Sequence, residues 1–339
     1  MEERLSAADG ELLAEIRSGV ATVTLNRPAA LNALSFGMLE GLARWLDAWE
    51  TDERVRAIEL RGAGEKAFCA GGDIRALHAG FASGAGVYRF FEVEYALDYR
   101  IHTYPKPIEA LIDGIVMGGG MGLAQGARVR RVGSRTKMAM PETAIGLFPD
   151  VGGSYFLSRL PGRLGPYLGL VGPTLGAADA LYCGLANSQV EGAVMATGEL
   201  ARLRPAIDRH FAHASVEAIV ASLEAERSPE HADWAQRTLQ ALAKRSPTML
   251  KVTLEQLRRG AGMALADVFR MELNLVHGAF EQGDFMEGIR ALAIDKDNAP
   301  RWNPSTLEAV DRAAVERFFR PRFDARGHPL AHLGAAATT

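Results

Sequence analysis

Two carboxylates stand eight positions apart in the run Met140-Pro141-Glu142-Thr143-Ala144-Ile145-Gly146-Leu147-Phe148-Pro149-Asp150-Val151-Gly152-Gly153. Acids in such a setting can exchange a proton with water or substrate, or one of them can attack a carbonyl carbon. Two glycine clusters precede them, Gly71-Gly72 ahead of Asp73 and Gly118-Gly119-Gly120 ahead of Met121. Glycine lets a backbone come close to a ligand. An N–H at the point where a loop enters a helix adds the positive helix end to any anion it meets. A further acid, Glu94, lies in Phe90-Phe91-Glu92-Val93-Glu94-Tyr95. Each of these has a plainer reading. Glycine pairs make tight turns, Glu142 after Pro141 is a helix-start charge, and Asp150 beside Pro149 is good turn chemistry. Asp73 can cap a helix, and Glu94 can sit on a solvated face beside Glu92.

Other chemistries find less support. The eight histidines are scattered, and His210 and His213 have no further ligand set beside them, so no metal is expected. Gly62-Ala63-Gly64 follows a strand-like run but lacks the helix and acidic ligand of a dinucleotide site. Gly152-Gly153-Ser154-Tyr155 lacks the last glycine of a nucleophile elbow. Cys69 reads as a small buried residue, and two cysteines make no disulfide framework. No cofactor is expected. A net charge of -3 gives no reason to expect nucleic acid or an anionic membrane as partner. No apolar run approaches the roughly 20 residues of a membrane span. The start, Met1-Glu2-Glu3-Arg4, is acidic and has neither an apolar core nor an Arg-rich presequence look, so a cytoplasmic location is expected.

The elements that must position these residues alternate. Residues 11–16 and 20–25 read as strands around a Ser18-Gly19 turn, and Ser35 caps a predicted helix over 36–49. Strands are predicted at 57–62 and 108–114, with a helix after Gly120. Such alternation argues for α/β packing. From about residue 175 the composition turns helical, with stretches at 215–225, 231–245, 249–259 and 264–282. Gly80 to Gly86 reads as a small-residue loop. The expected division is a core over 11–200, a helical region over 201–333, and flexible termini at 1–10 and 334–339.

Four segments together resemble the crotonase, or enoyl-CoA hydratase/isomerase, superfamily. They are Leu25-Asn26-Arg27-Pro28 with Leu31-Asn32-Ala33-Leu34; Lys66-Ala67-Phe68-Cys69-Ala70-Gly71-Gly72-Asp73-Ile74; Gly114 to Gly122; and Met140 to Gly153. The resemblance implies an α/β fold of the ClpP/crotonase type, a spiral of ββα units, and an acyl-CoA thioester as substrate. It implies that the amides of Gly72 and Gly119 stabilise charge on the thioester oxygen. It implies that Arg27, Ala33, Ala70, Asp73 and Ile74 meet CoA. Family members often form trimers or pairs of trimers, so such an assembly is possible here.

One departure matters. Hydratases of this superfamily place a carboxylate two residues after the triple glycine, where this chain has Gly122. Glu142, Asp150 and Glu94 instead resemble the branch that hydrolyses 3-hydroxyisobutyryl-CoA in valine breakdown. That resemblance gives Glu142 the role of catalytic base or nucleophile, and gives Asp150 two roles, binding the 3-hydroxyl and assisting proton transfer to or from the water. Glu94 then helps frame the acyl pocket and hydrogen-bonds the hydroxyl, and Gly119, Glu142 and Asp150 also contact the substrate. An enoyl-CoA hydratase or isomerase using Glu142 alone, and a silent CoA-ester-binding protein, are the alternatives.

Overall fold

The computed structural model describes residues 3–84, 86–194 and 196–334. Leu12–Arg17 and Val20–Leu25 alternate buried and outward residues and pair antiparallel, Leu12 opposite Leu25. Ser18 and Gly19 turn the chain between them at φ 53° and 86°. Ahead of this hairpin, Glu3–Ala7 forms a strand, pairing Glu3 with Ile16 through Ala7 with Leu12. The flexible lead-in expected over 1–10 is therefore corrected, because this edge strand is tied down by backbone hydrogen bonds. Residues 1, 2 and 335–339 lie outside the described residues.

Numbered in chain order, the strands are β1 (Glu3–Ala7), β2 (Leu12–Arg17), β3 (Val20–Leu25), β4 (Ala57–Gly62), β5 (Ala67–Cys69), β6 (Ile108–Ile112), β7 (Ile115–Met117), β8 (Val129–Val132), β9 (Lys137–Ala139) and β10 (Ser188–Gln189). They form a seven-stranded sheet, β1-β2-β3-β4-β6-β8-β10, and a three-stranded sheet, β5-β7-β9. From β3 onward all neighbours are parallel. A long strand enters the first sheet, a short one enters the second, and a helix follows. β4 and β5 lead into the Ile74–Ala82 helix, and β6 and β7 lead into the Gly119–Gly126 helix. This is the expected ββα repeat.

Packing divides the chain into two units that differ from the expected split at residue 200. One holds residues 1–73, 89–139 and 174–198, including both sheets. The other holds 74–88, 140–173 and 199–339 and is mostly helical. The division moves because segments 74–88 and 140–173 pack with the C-terminal helices, a long-range preference that chain order does not reveal. The predicted helices appear as Val216–Glu224, Ala232–Leu242, Pro247–Gly260 and Leu265–Gln282. Ser246 caps the third, accepting from the Met249 amide at 3.1 Å, with Pro247 at its first position. The Ile74–Ala82 helix takes in Gly80, Phe81 and Ala82, the start of the small-residue stretch assigned to a loop.

Candidate active site

In the sheet-bearing unit, the two glycine loops adjoin. Gly71 has φ 107°, and a Cβ there would lie 3.5 Å from the Gly119 nitrogen and 3.2 Å from the Met117 carbonyl. Gly118 has φ 49° and caps the helix that Gly119 opens. As the first helical residue, Gly119 has no acceptor for its N–H within the helix, so the expected loop-to-helix donor is in place. Gly72 bridges Leu34, whose carbonyl accepts from the Asp73 amide at 3.0 Å.

Arg27 ties this loop together. Its guanidinium donates to the Ala33 carbonyl at 2.7 Å, pairs with Asp73 at 3.0 Å and pairs with Glu11 at 2.9 Å. Arg27, Ala33 and Asp73 are thus brought together as expected, and the Ala70 amide joins the same loop by donating to Leu31 at 3.0 Å. The arginine's nitrogens are engaged by the protein itself, so it acts on this loop as a clamp. Ile74 opens the helix that follows Asp73. Cys69 is buried, and burial pushes its thiol up to about 12, which leaves no thiolate at neutral pH.

Glu94 is 2 % exposed, so the solvated-face reading fails. It lies on the buried side of the Tyr88–Thr103 helix with Phe90, Phe91, Tyr95 and Leu97. A Cβ on Gly119 would come within 2.3 Å of its Oε1. The carboxyl of Glu94 therefore occupies the space that the missing side chain at 119 leaves. Gly122 is buried in the same helix as Gly119.

The helical unit holds the other two acids. Glu142 opens a short 3-10 turn after Pro141 and is 4 % exposed. Its Oε2 has no hydrogen-bond partner among the described residues. Burial, reinforced by the charge of Asp150, holds its carboxyl well above the usual range. Asp150 is also 4 % exposed. A surface turn residue would be solvated, so the plain turn reading does not account for it. Its turn is strained: Val151 has φ 52°, rare for a β-branched residue and worth roughly 1–3 kcal/mol. Gly152 follows at φ 86°, and the Gly153 amide closes the turn on the Asp150 carbonyl at 2.7 Å.

One functional neighbour was missed from sequence. Glu272, in the Leu265–Gln282 helix, is completely buried and accepts from the amides of Gly152 at 2.8 Å and Ser154 at 2.9 Å. Burial pushes its carboxyl up to about 8; the two amides oppose this rise and Asp150 adds to it. The only signal in sequence was an acid in the apolar stripe Phe269, Leu273, Val276. A cavity of about 780 Å³ lies elsewhere in this unit, lined by Leu157, Phe211, Val216, Lys251 and Arg258, and takes in none of the expected site residues. His210 binds Ser222 Oγ at 2.8 Å and Glu226 at 2.9 Å, which accounts for its place in the sequence.

The family model for enoyl-CoA hydratase/isomerase matches residues 20–197 and 190–319. The chain is 43% identical to a Gallus gallus protein named 3-hydroxyisobutyryl-CoA hydrolase, mitochondrial, over 93% of this chain and 90% of that one. It is 41% identical to the Danio rerio protein of the same name, again over 93% and 90%. Both names say mitochondrial, so the cytoplasmic expectation finds no support in them. A crystal structure titled an enoyl-CoA hydratase from Rhodobacter sphaeroides superposes with a TM-score of 0.86 at 39% identity, covering 92% of this chain and 98% of that one. With the ββα repeat, the glycine loops and the buried Glu142 in place, the chain belongs to the enoyl-CoA hydratase/isomerase family.

Proposed function

We infer that this protein hydrolyses a 3-hydroxyacyl-CoA thioester, 3-hydroxyisobutyryl-CoA above all, to the free hydroxy acid and CoA. The acid pattern carries the reading. Glu142 is buried with an unpartnered oxygen and couples to Asp150, while position 122 is glycine. A hydratase of the two-carboxylate kind needs an acid where Gly122 stands, and glycine cannot move a proton. The names of the relatives support the same substrate.

In this reading the amides of Gly72 and Gly119 take the thioester oxygen as charge builds on it, a contribution typically worth ~100-fold or more per donor. Glu142 either accepts the proton of an attacking water, which gives the hydroxy acid directly, or attacks the carbonyl carbon itself to give a mixed anhydride that water then hydrolyses to the hydroxy acid and free Glu142. The C–S bond breaks, the pair goes to sulfur, and a proton follows to give the CoA thiol. Asp150 accepts the hydrogen bond of the substrate's 3-hydroxyl, and Glu94 helps frame the acyl pocket. Arg27, Ala33, Ala70, Asp73 and Ile74 form the CoA-facing segment. Valine breakdown is the route this substrate belongs to, and fractionation of cells reads where it runs.

Thiol release tests the reading. The native protein should release thiol from 3-hydroxyisobutyryl-CoA faster than from isobutyryl-CoA, and should hydrate crotonyl-CoA slowly. Asp150→Asn should erase about 10- to 150-fold of that hydroxyl preference, the worth of a charge-assisted hydrogen bond. Rapid consumption of crotonyl-CoA without thiol release would hand the case to a hydratase. CoA-ester binding with no turnover at all would mean a silent binder.

A further inference from the structure

The turn that carries Asp150 is held from a distance. Two helices that begin about a hundred residues later each send one polar side chain to its backbone. Gln256, in Pro247–Gly260, donates from Nε2 to the Pro149 carbonyl at 2.6 Å. Glu272, in Leu265–Gln282, accepts from the Gly152 and Ser154 amides at 2.8 and 2.9 Å. The three bonds bracket Asp150, one on the residue before it and two on residues after it.

Both side chains have 0% exposure. Burying a carboxyl and an amide among Phe269, Leu273 and Leu257 is costly unless each finds partners. Gln256 keeps its place although its own Oε1 has no partner among the described residues. What the pair secures is an unfavourable conformation, Val151 at φ 52°. Such conformations persist only where the surroundings over-determine them, and they cluster at functional positions.

We propose that Glu272, together with Gln256, is a positioning residue for Asp150, fixing the Pro149–Ser154 turn so that the Asp150 carboxylate meets the substrate's 3-hydroxyl. The inference rests on the hydrolase reading above. Glu272 does not touch substrate; it acts through the turn. Gln at 272 keeps the shape but turns one acceptor into a donor that faces an amide N–H, so one of the two bonds is lost and the turn relaxes.

The test compares kcat/KM for thiol release from 3-hydroxyisobutyryl-CoA and isobutyryl-CoA in four proteins: native, Glu272→Gln, Asp150→Asn and the double variant. Glu272→Gln should cut the preference for the hydroxylated thioester about fivefold, the size of one lost hydrogen bond. In the double variant it should add little to Asp150→Asn, because both act on one interaction. An equal loss on both thioesters, with full additivity, makes Glu272 a scaffold residue and overturns the proposal. Should Glu272→Gln fail to fold, Gln256→Met decides: it frees the Pro149 carbonyl and should lower the same preference, and an unchanged preference overturns the proposal. Native protein that releases no thiol defeats the hydrolase reading and this inference together. Native turnover with an unchanged preference in a folded Glu272→Gln defeats the inference alone.

Discussion

In the proposed reading the two units bear their chemistry in different ways. In the sheet-bearing unit it sits on backbone, at glycines whose loops are set by strands only a few residues away: β5 ends at Cys69 and β7 at Met117. In the helical unit it sits on side chains, Glu142 and Asp150, and the turn under Asp150 is fixed by Gln256 and Glu272 from other helices. Backbone donors need only a short, well-made turn. A carboxylate that must discriminate a hydroxyl needs its direction fixed, and that takes buried partners from across the fold. The two units should therefore fail differently when altered.

The largest effect is expected in the helical unit. Glu142→Gln keeps the shape but can neither take a proton nor attack, so kcat should fall roughly 100- to 10,000-fold. Binding of the CoA ester, followed by calorimetry, should survive. A purified variant that keeps more than about a third of native kcat would sink the assignment of Glu142.

Gly119→Ala tests the other unit. The new methyl would lie 2.3 Å from Glu94 Oε1 and 3.2 Å from Leu34 Cδ1. The carboxyl of Glu94 can swing aside, so the fold should hold, as a thermal melt would report. In the proposed reading the displaced Glu94 carboxyl crowds the approach of the thioester oxygen to the Gly119 amide, and kcat should fall about 100-fold, as for loss of one oxyanion donor. Unlike the Asp150 variants, this loss should fall equally on hydroxylated and plain thioesters. A folded variant with native kcat refutes the donor role, and a loss confined to the hydroxylated substrate breaks the contrast between the units.

The smallest effect is on stability. Burial, with the charge of Asp150 adding to it, raises the Glu272 carboxyl from 4.5 to about 8. Between about pH 5 and 8 the folded state keeps a proton that the unfolded chain has already lost. Stability should then fall as pH rises through that window and level off above it. Glu142 shifts in the same direction and adds to the slope. Urea titrations at several pH values should show a shallower fall in Glu272→Gln than in native protein. Parallel curves would mean that Glu272 does not hold that proton.

Much of this protein was determined by its sequence alone. Turn residues and side-chain periodicity act over a few positions, so the Ser18-Gly19 hairpin, the Ser35 cap and the helical stretch at 264–282 could be read directly. The glycine loops and the pair Glu142 and Asp150 stood out because the short motifs that hold them resemble the family. Only the tertiary structure decided the rest. Glu94 could face water or the interior at the same helical spacing, and its burial came from what packs on its helix. The residues at 3–7 became a strand because β2 offered an edge. Segments 74–88 and 140–173 joined the C-terminal helices against chain order. Glu272 reaches Gly152 across 120 positions. A hydrogen bond of that separation leaves no local pattern, since it depends on how two distant elements pack and not on the residues beside either end.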